Sequence, residues 1–127
     1  MVASYQEAWD SMAKCDEGYL CEVCGKEVER LFESELYLRF VTGQLDAETL
    51  HTAGERHICC NPVLAQFITD EGFTPVVVEG DFDKRKMDSD FVQTREDLLT
   101  RGWRRLREIA SQGLEIRDYP LSEFRRT

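Results

Sequence analysis

Apolar positions change period along this 127-residue chain, and the changes predict its elements. Near the start, Tyr5, Ala8, Trp9 and Met12 recur at helical spacing behind Ser4 and Glu7, the reciprocal pair of a capping box. A short amphipathic helix ending before Gly18 is expected there. From Glu35 to Val41 the period shortens: Leu36, Leu38 and Phe40 alternate with Tyr37 and Arg39 and run into Thr42-Gly43, the pattern of a half-buried strand. Val28, Leu31 and Phe32, just upstream, also fit a helix. Asp46 reads as the N-cap of a short helix through Leu50 and Ala53, with Gly54 ending it in a left-handed conformation.

The second half is better punctuated. Asn61 caps a helix whose first residue is Pro62, with Val63, Leu64, Phe67 and Ile68 as its apolar stripe and Gly72 as its stop. Pro75 opens Val76-Val77-Val78, a run long enough for a buried strand and too short for a helix. Asp88 or Ser89 caps the longest helix, about 88–112, with Phe91, Leu98, Leu99, Trp103, Leu106 and Ile109 on one side and Gly113 closing it. Gly102 inside that helix costs ~1 kcal/mol relative to alanine, which predicts a close packing contact or a bend. Leu114 and Ile116 suggest a short final strand, and the tail over 118–127 is expected to be loosely ordered. The elements together predict a small single α+β domain spanning 1–127.

Composition narrows the class. The chain has 42% hydrophobic residues and can bury roughly two thirds of its unfolded surface, enough for a core. It lacks a basic, apolar leader and any run approaching the ~20 apolar residues of a membrane span, so a cytoplasmic protein with no membrane partner is expected. The net charge of −9 disfavours broad nucleic-acid binding. The charge is uneven: residues 1–60 carry 12 acids and 5 bases, residues 101–127 carry 4 acids and 7 bases. Arg101, Arg104, Arg105 and Arg107 surround Trp103 and form a candidate partner surface, although Asp97 with Arg101 and Arg104 with Glu108 have the spacing of intrahelical ion pairs.

Chemistry concentrates in the cysteines. Five is an odd number, and four of them lie in two tight clusters, which suits metal or redox chemistry better than a disulfide framework; Cys15 stands apart. Cys21-Glu22-Val23-Cys24-Gly25 places two thiols three positions apart with a glycine that lets the chain turn. His57-Ile58-Cys59-Cys60 follows after 32 residues, and His57 and Cys60 repeat the same offset. These spacings predict one tetrahedral structural Zn2+ on Cys21, Cys24, His57 and Cys60, with Cys59 as the substitute for His57, or else turned to the core as a small hydrophobe.

The arrangement, from Tyr19 to about Glu71, resembles a treble-clef zinc finger: a Cys-x-x-Cys-Gly knuckle, strand material, then a second ligand pair at the start of a helix. The wording around Glu55-Arg56-His57 and Cys60-Asn61-Pro62 also resembles small bacterial proteins. The resemblance implies a zinc-binding domain and no particular activity. A binding or adaptor module for a protein, or less readily a nucleic acid, is the function expected. The alternative is a small enzyme, using zinc with Glu22 or Glu55 as base or using Cys21 and Cys24 as a dithiol; only Tyr19-Leu20 precede that dithiol where a redox motif needs a buried strand.

Overall fold

The computed structural model describes residues 20–125; the helix expected over Ser4 to Met12, and Cys15, lie outside the described residues. The α+β expectation is overturned: the described residues form three α-helices joined by 3-10 turns, with no strand or sheet. Antiparallel pairing is limited to two isolated bridges, Leu20 with Glu27 and Ser34 with His57.

Helix α1, Glu35–Val41, occupies the stretch expected to be a strand. The alternation misleads because the intervening Tyr37 and the following Val41 are buried too, so the segment is apolar nearly all round, as a central helix is. Local chemistry agrees with the helix. Ser34 Oγ accepts the Tyr37 N–H at 3.0 Å as N-cap, Arg39 pairs with Glu35 one turn back at 3.2 Å, and Thr42 Oγ1 donates to the Leu38 carbonyl at 2.8 Å. Leu121 N–H donates to the Val41 carbonyl at 3.0 Å, and Tyr119 stacks on Tyr37 at 6.0 Å, so residues 119–121 cover the helix C-terminus.

Helix α2, Pro62–Ala65, starts where expected, with Asn61 Oδ1 accepting from Leu64 N–H, but ends far short of Gly72. The downstream stripe still works: Phe67 and Ile68 are buried in the following turns. Helix α3, Ser89–Ile109, is capped by Asp88 and buries Leu99, Trp103, Leu106 and Ile109 against α1. Phe91, placed on the apolar side by spacing, is half exposed and meets Phe67 edge-on at 6.4 Å. Gly102 marks the closest approach of the two helices: a Cβ there would run into Thr42 Cγ2 and press on Leu38 Cδ1 at 3.1 Å. Gly113 has φ +65°, but the helix ends before it, at Ile109 with Ala110 as its C-cap, so the glycine turns the chain past the helix and does not stop it.

Three further expectations change. The helix from Asp46 is a single 3-10 turn, Thr49–His51, held by Asp46 Oδ1 accepting from Thr49 N–H at 2.9 Å. Gly54 is not left-handed; its missing Cβ leaves room for the Glu22 carboxylate. Val76–Val78 and Leu114–Ile116 are not strands, the latter giving way to a 3-10 turn at Ile116–Asp118. No helix among the described residues is long and apolar enough to cross a membrane.

Candidate metal centre

Two loops build the site. In the first, Cys21 N–H donates to the Lys26 carbonyl and Gly25 N–H to the Cys21 carbonyl, both at 2.9 Å, while Gly25 takes φ +77°. The resulting knuckle, closed by the Leu20–Glu27 bridge, turns both thiols the same way. In the second, the 3-10 turn Ile58–Cys60 closes with Cys60 N–H on the His57 carbonyl, which brings residues 57 and 60 onto one side just before α2. The halves are stitched by Glu22 N–H to the Glu55 carbonyl and Glu35 N–H to the Arg56 carbonyl, each at 2.9 Å.

The outcome is a cluster in which one donor atom from each of Cys21, Cys24, His57 and Cys60 lies within 4.8 Å of the other three. Cys24 Sγ is 3.4 Å and Cys60 Sγ 3.9 Å from His57 Nδ1. A tetrahedron with metal–sulfur bonds of ~2.3 Å has edges of roughly 3.7 Å, so the four groups fit one ion. His57 Nε2–H donates to the Glu27 carbonyl at 3.0 Å, which leaves Nδ1 as the free lone pair facing the thiols. Cys59 is exposed and outside the cluster, neither ligand nor core residue: the turn that aims His57 and Cys60 inward sends the side chain between them out.

The electrostatics of the cluster ask for a cation. Burial raises the Cys21 thiol, but amide N–H groups of Cys24, His57 and Val23 directed at its sulfur outweigh this and bring its pKa down to about 6. Burial together with the neighbouring Cys21 and Cys24 sulfurs pushes Cys60 up to about 12. Anionic sulfurs this close repel one another, and a divalent ion at their centre removes that repulsion.

Behind the cluster lies a buried polar network that spacing alone did not announce. Glu55 is 4% exposed; its carboxylate accepts from Ser34 Oγ at 2.7 Å and from the amides of Arg56 and Leu36. Burial raises its carboxyl to about 7. Glu35, also buried, accepts from Asn61 Nδ2 and lies 3.2 and 3.5 Å from Arg39 and Arg56, distances that satisfy charge pairing without hydrogen-bond geometry. The one hint in the sequence was two glutamates close to serine and asparagine caps.

The arginines expected at a partner surface are mostly engaged within the chain. Arg101 bridges Glu123 and Asp97, and Arg104 pairs with Asp70 instead of Glu108. Arg105 takes Glu108 and donates to the Tyr119 and Asp118 carbonyls. Trp103 is buried and donates its indole N–H to the Phe32 carbonyl at 3.2 Å. Arg107 stacks on the Trp103 and Phe32 rings at 5.0 and 5.8 Å.

Fold and cluster together define a small helical protein with a three-cysteine, one-histidine site able to hold a metal ion. No family model, curated protein or solved structure matches the chain.

Proposed function

We propose that the cluster holds one structural Zn2+ and that the chain is a zinc-stapled binding module for a partner protein. The observation that carries this is the convergence of four soft donors from two segments more than thirty residues apart onto one point. Thiolate with imidazole is zinc's preferred set, and four protein ligands complete its tetrahedron without leaving a position for a substrate or a reactive water. Of the two glutamates cast as a base for a catalytic zinc, Glu55 is held by Ser34 and two amides, which argues against the enzyme alternative for that residue.

The ligand pairs sit on a knuckle and just before a helix, as in a treble clef, with α1 standing between them. The contact surface of this reading is the apolar groove beside the buried Trp103, where Phe32, Phe73 and Val76 are partly exposed. Nucleic acid is the weaker partner class given the net charge of −9.

The test is metal analysis of the purified protein with X-ray absorption at the zinc edge. One equivalent of zinc with three sulfurs and one nitrogen at ~2.3 and ~2.0 Å is expected. Cys24→Ala should lose stoichiometric zinc and cooperative melting. A variant that melts like the wild type removes the structural role.

A further inference from the structure

The run Val76-Val77-Val78 has strand-forming side chains and no strand to pair with. Among the described residues, no hydrogen bond reaches the backbone N–H or carbonyl of residues 74–79. Val77 is 69% exposed, whereas Val76 is half-buried and faces a groove of about 610 Å³. Phe32, Ile58, Cys59, Phe73 and Trp103 line that groove too, with Phe73 and Trp103 edge-on at 5.3 Å, so its floor is largely aromatic. Gly72 also lines it, and the Arg107 guanidinium would be 3.1 Å from a Cβ placed there. Arg107 differs from Arg101, Arg104 and Arg105 in donating no hydrogen bond to any described residue; the nearby Asp70 carboxylate is held by Arg104.

We propose that residues 74–79 and the groove beside them dock an extended, apolar peptide segment of a partner protein, with a carboxylate of that segment reaching Arg107. This rests on the zinc-stapled module as its scaffold and names the chemistry of its partner. Three features of the place select the occupant. Unpaired backbone groups on a valine run are satisfied in series only by another extended backbone, the logic of strand addition. A groove of this volume beside that edge accepts the alternate side chains of such a strand, and its aromatic floor favours apolar ones. A guanidinium fixed on two rings, with its N–H groups free, presents a fork that matches a carboxylate. A second copy of the chain is the less favoured occupant, because two molecules of net charge −9 repel each other.

The experiment is selection of a phage-displayed library of random ten-residue peptides on the zinc-loaded full chain, followed by NMR with the enriched peptide. Alternating apolar residues with an aspartate or glutamate toward one end are expected. On binding, alternate amides within 74–79 should become protected from hydrogen exchange. Arg107→Gln should weaken binding roughly tenfold, the scale of a charge-assisted hydrogen bond, and leave zinc content unchanged and melting cooperative, with only the small drop in melting temperature that losing its ring contacts brings. Replacing the peptide's acid by its amide should weaken wild-type binding by a similar factor and add little in the variant.

No enrichment on loaded, folded protein overturns the proposal, as do peptide shifts away from 74–79 or an Arg107→Gln variant that binds normally. Protected 74–79 amides in the free protein, or a dimer in sedimentation, would mean that the edge is already occupied and also overturn it. Failure of the scaffold reading looks different: protein that carries no zinc, or melts identically without it.

Discussion

Glu55 is the buried group whose titration should be felt in the stability of the fold. Its folded pKa of about 7 stands above the ordinary 4.5, so between those values the folded chain keeps a proton that the unfolded chain has released. Stability therefore falls as pH rises through that window and levels off above it. Glu55→Gln keeps an acceptor for the Leu36 and Arg56 amides and does not titrate. Measured by urea unfolding at saturating zinc, the advantage of wild type over the variant should shrink between pH 4.5 and 7.5 by on the order of 3 kcal/mol. A difference that stays flat across that range would show that the carboxyl is not held neutral. At this scale the metal cluster was legible in advance, because an offset of three residues is a property of one local turn and repeats in both halves. The fate of Cys59 was not. Whether the middle residue of a 3-10 turn faces core or solvent depends on what packs over the turn, and here the described residues leave it exposed.

Helices α1 and α3 were read with unequal success for a physical reason. α3 has a polar face, so its apolar stripe and its Asp88 cap stand out. α1 is buried on nearly every side, and a seven-residue segment with five apolar residues is too short to carry a period that separates strand from helix. What decides it is the Ser34 cap and the Glu35–Arg39 pair, both present in the sequence and both outweighed by the apparent alternation. The contact between these helices gives a second expected outcome. Gly102→Ala gains helix propensity worth ~1 kcal/mol but drives its methyl into Thr42 and Leu38, which are buried and, for Thr42, fixed by a hydrogen bond to the Leu38 carbonyl. Overpacking of ~1 to 3 kcal/mol should win, giving a net loss of stability by thermal or urea unfolding. A more stable variant would mean the helices can separate without penalty. Gly54→Ala should be nearly neutral in the same assay, since the atom in its way is the end of the exposed, flexible Glu22 side chain.

At the scale of the molecule, the described residues divide into the knuckle at residues 20–27 and the core between α1 and α3. The core cluster that contains Leu36, Leu38, Val41, Leu99, Leu106 and Ile109 includes none of the four ligand side chains, whereas the knuckle leans on the Glu22 bond to the Glu55 carbonyl, the His57 amide on the Cys21 sulfur and the cluster itself. This division was invisible in the sequence, because it depends on long-range backbone pairing between segments with no shared pattern. It has a thermodynamic consequence. Zinc in finger peptides contributes an apparent ~10 to 16 kcal/mol, comparable with the ~5 to 15 kcal/mol that stabilises a whole domain. Removing the ion should therefore release the ligand-bearing half outright, since the cross-link between the two loops is then gone and only a few backbone hydrogen bonds still join them. Hydrogen exchange after chelation should show the amides of Cys21, Glu22, Gly25 and Cys60 at unprotected rates, while those within α3 slow again toward the core contact with α1. One equivalent of zinc should restore protection at all four. Retained protection at these amides in metal-free protein would mean that backbone pairing alone holds the knuckle, and the staple would then be a passenger in the fold.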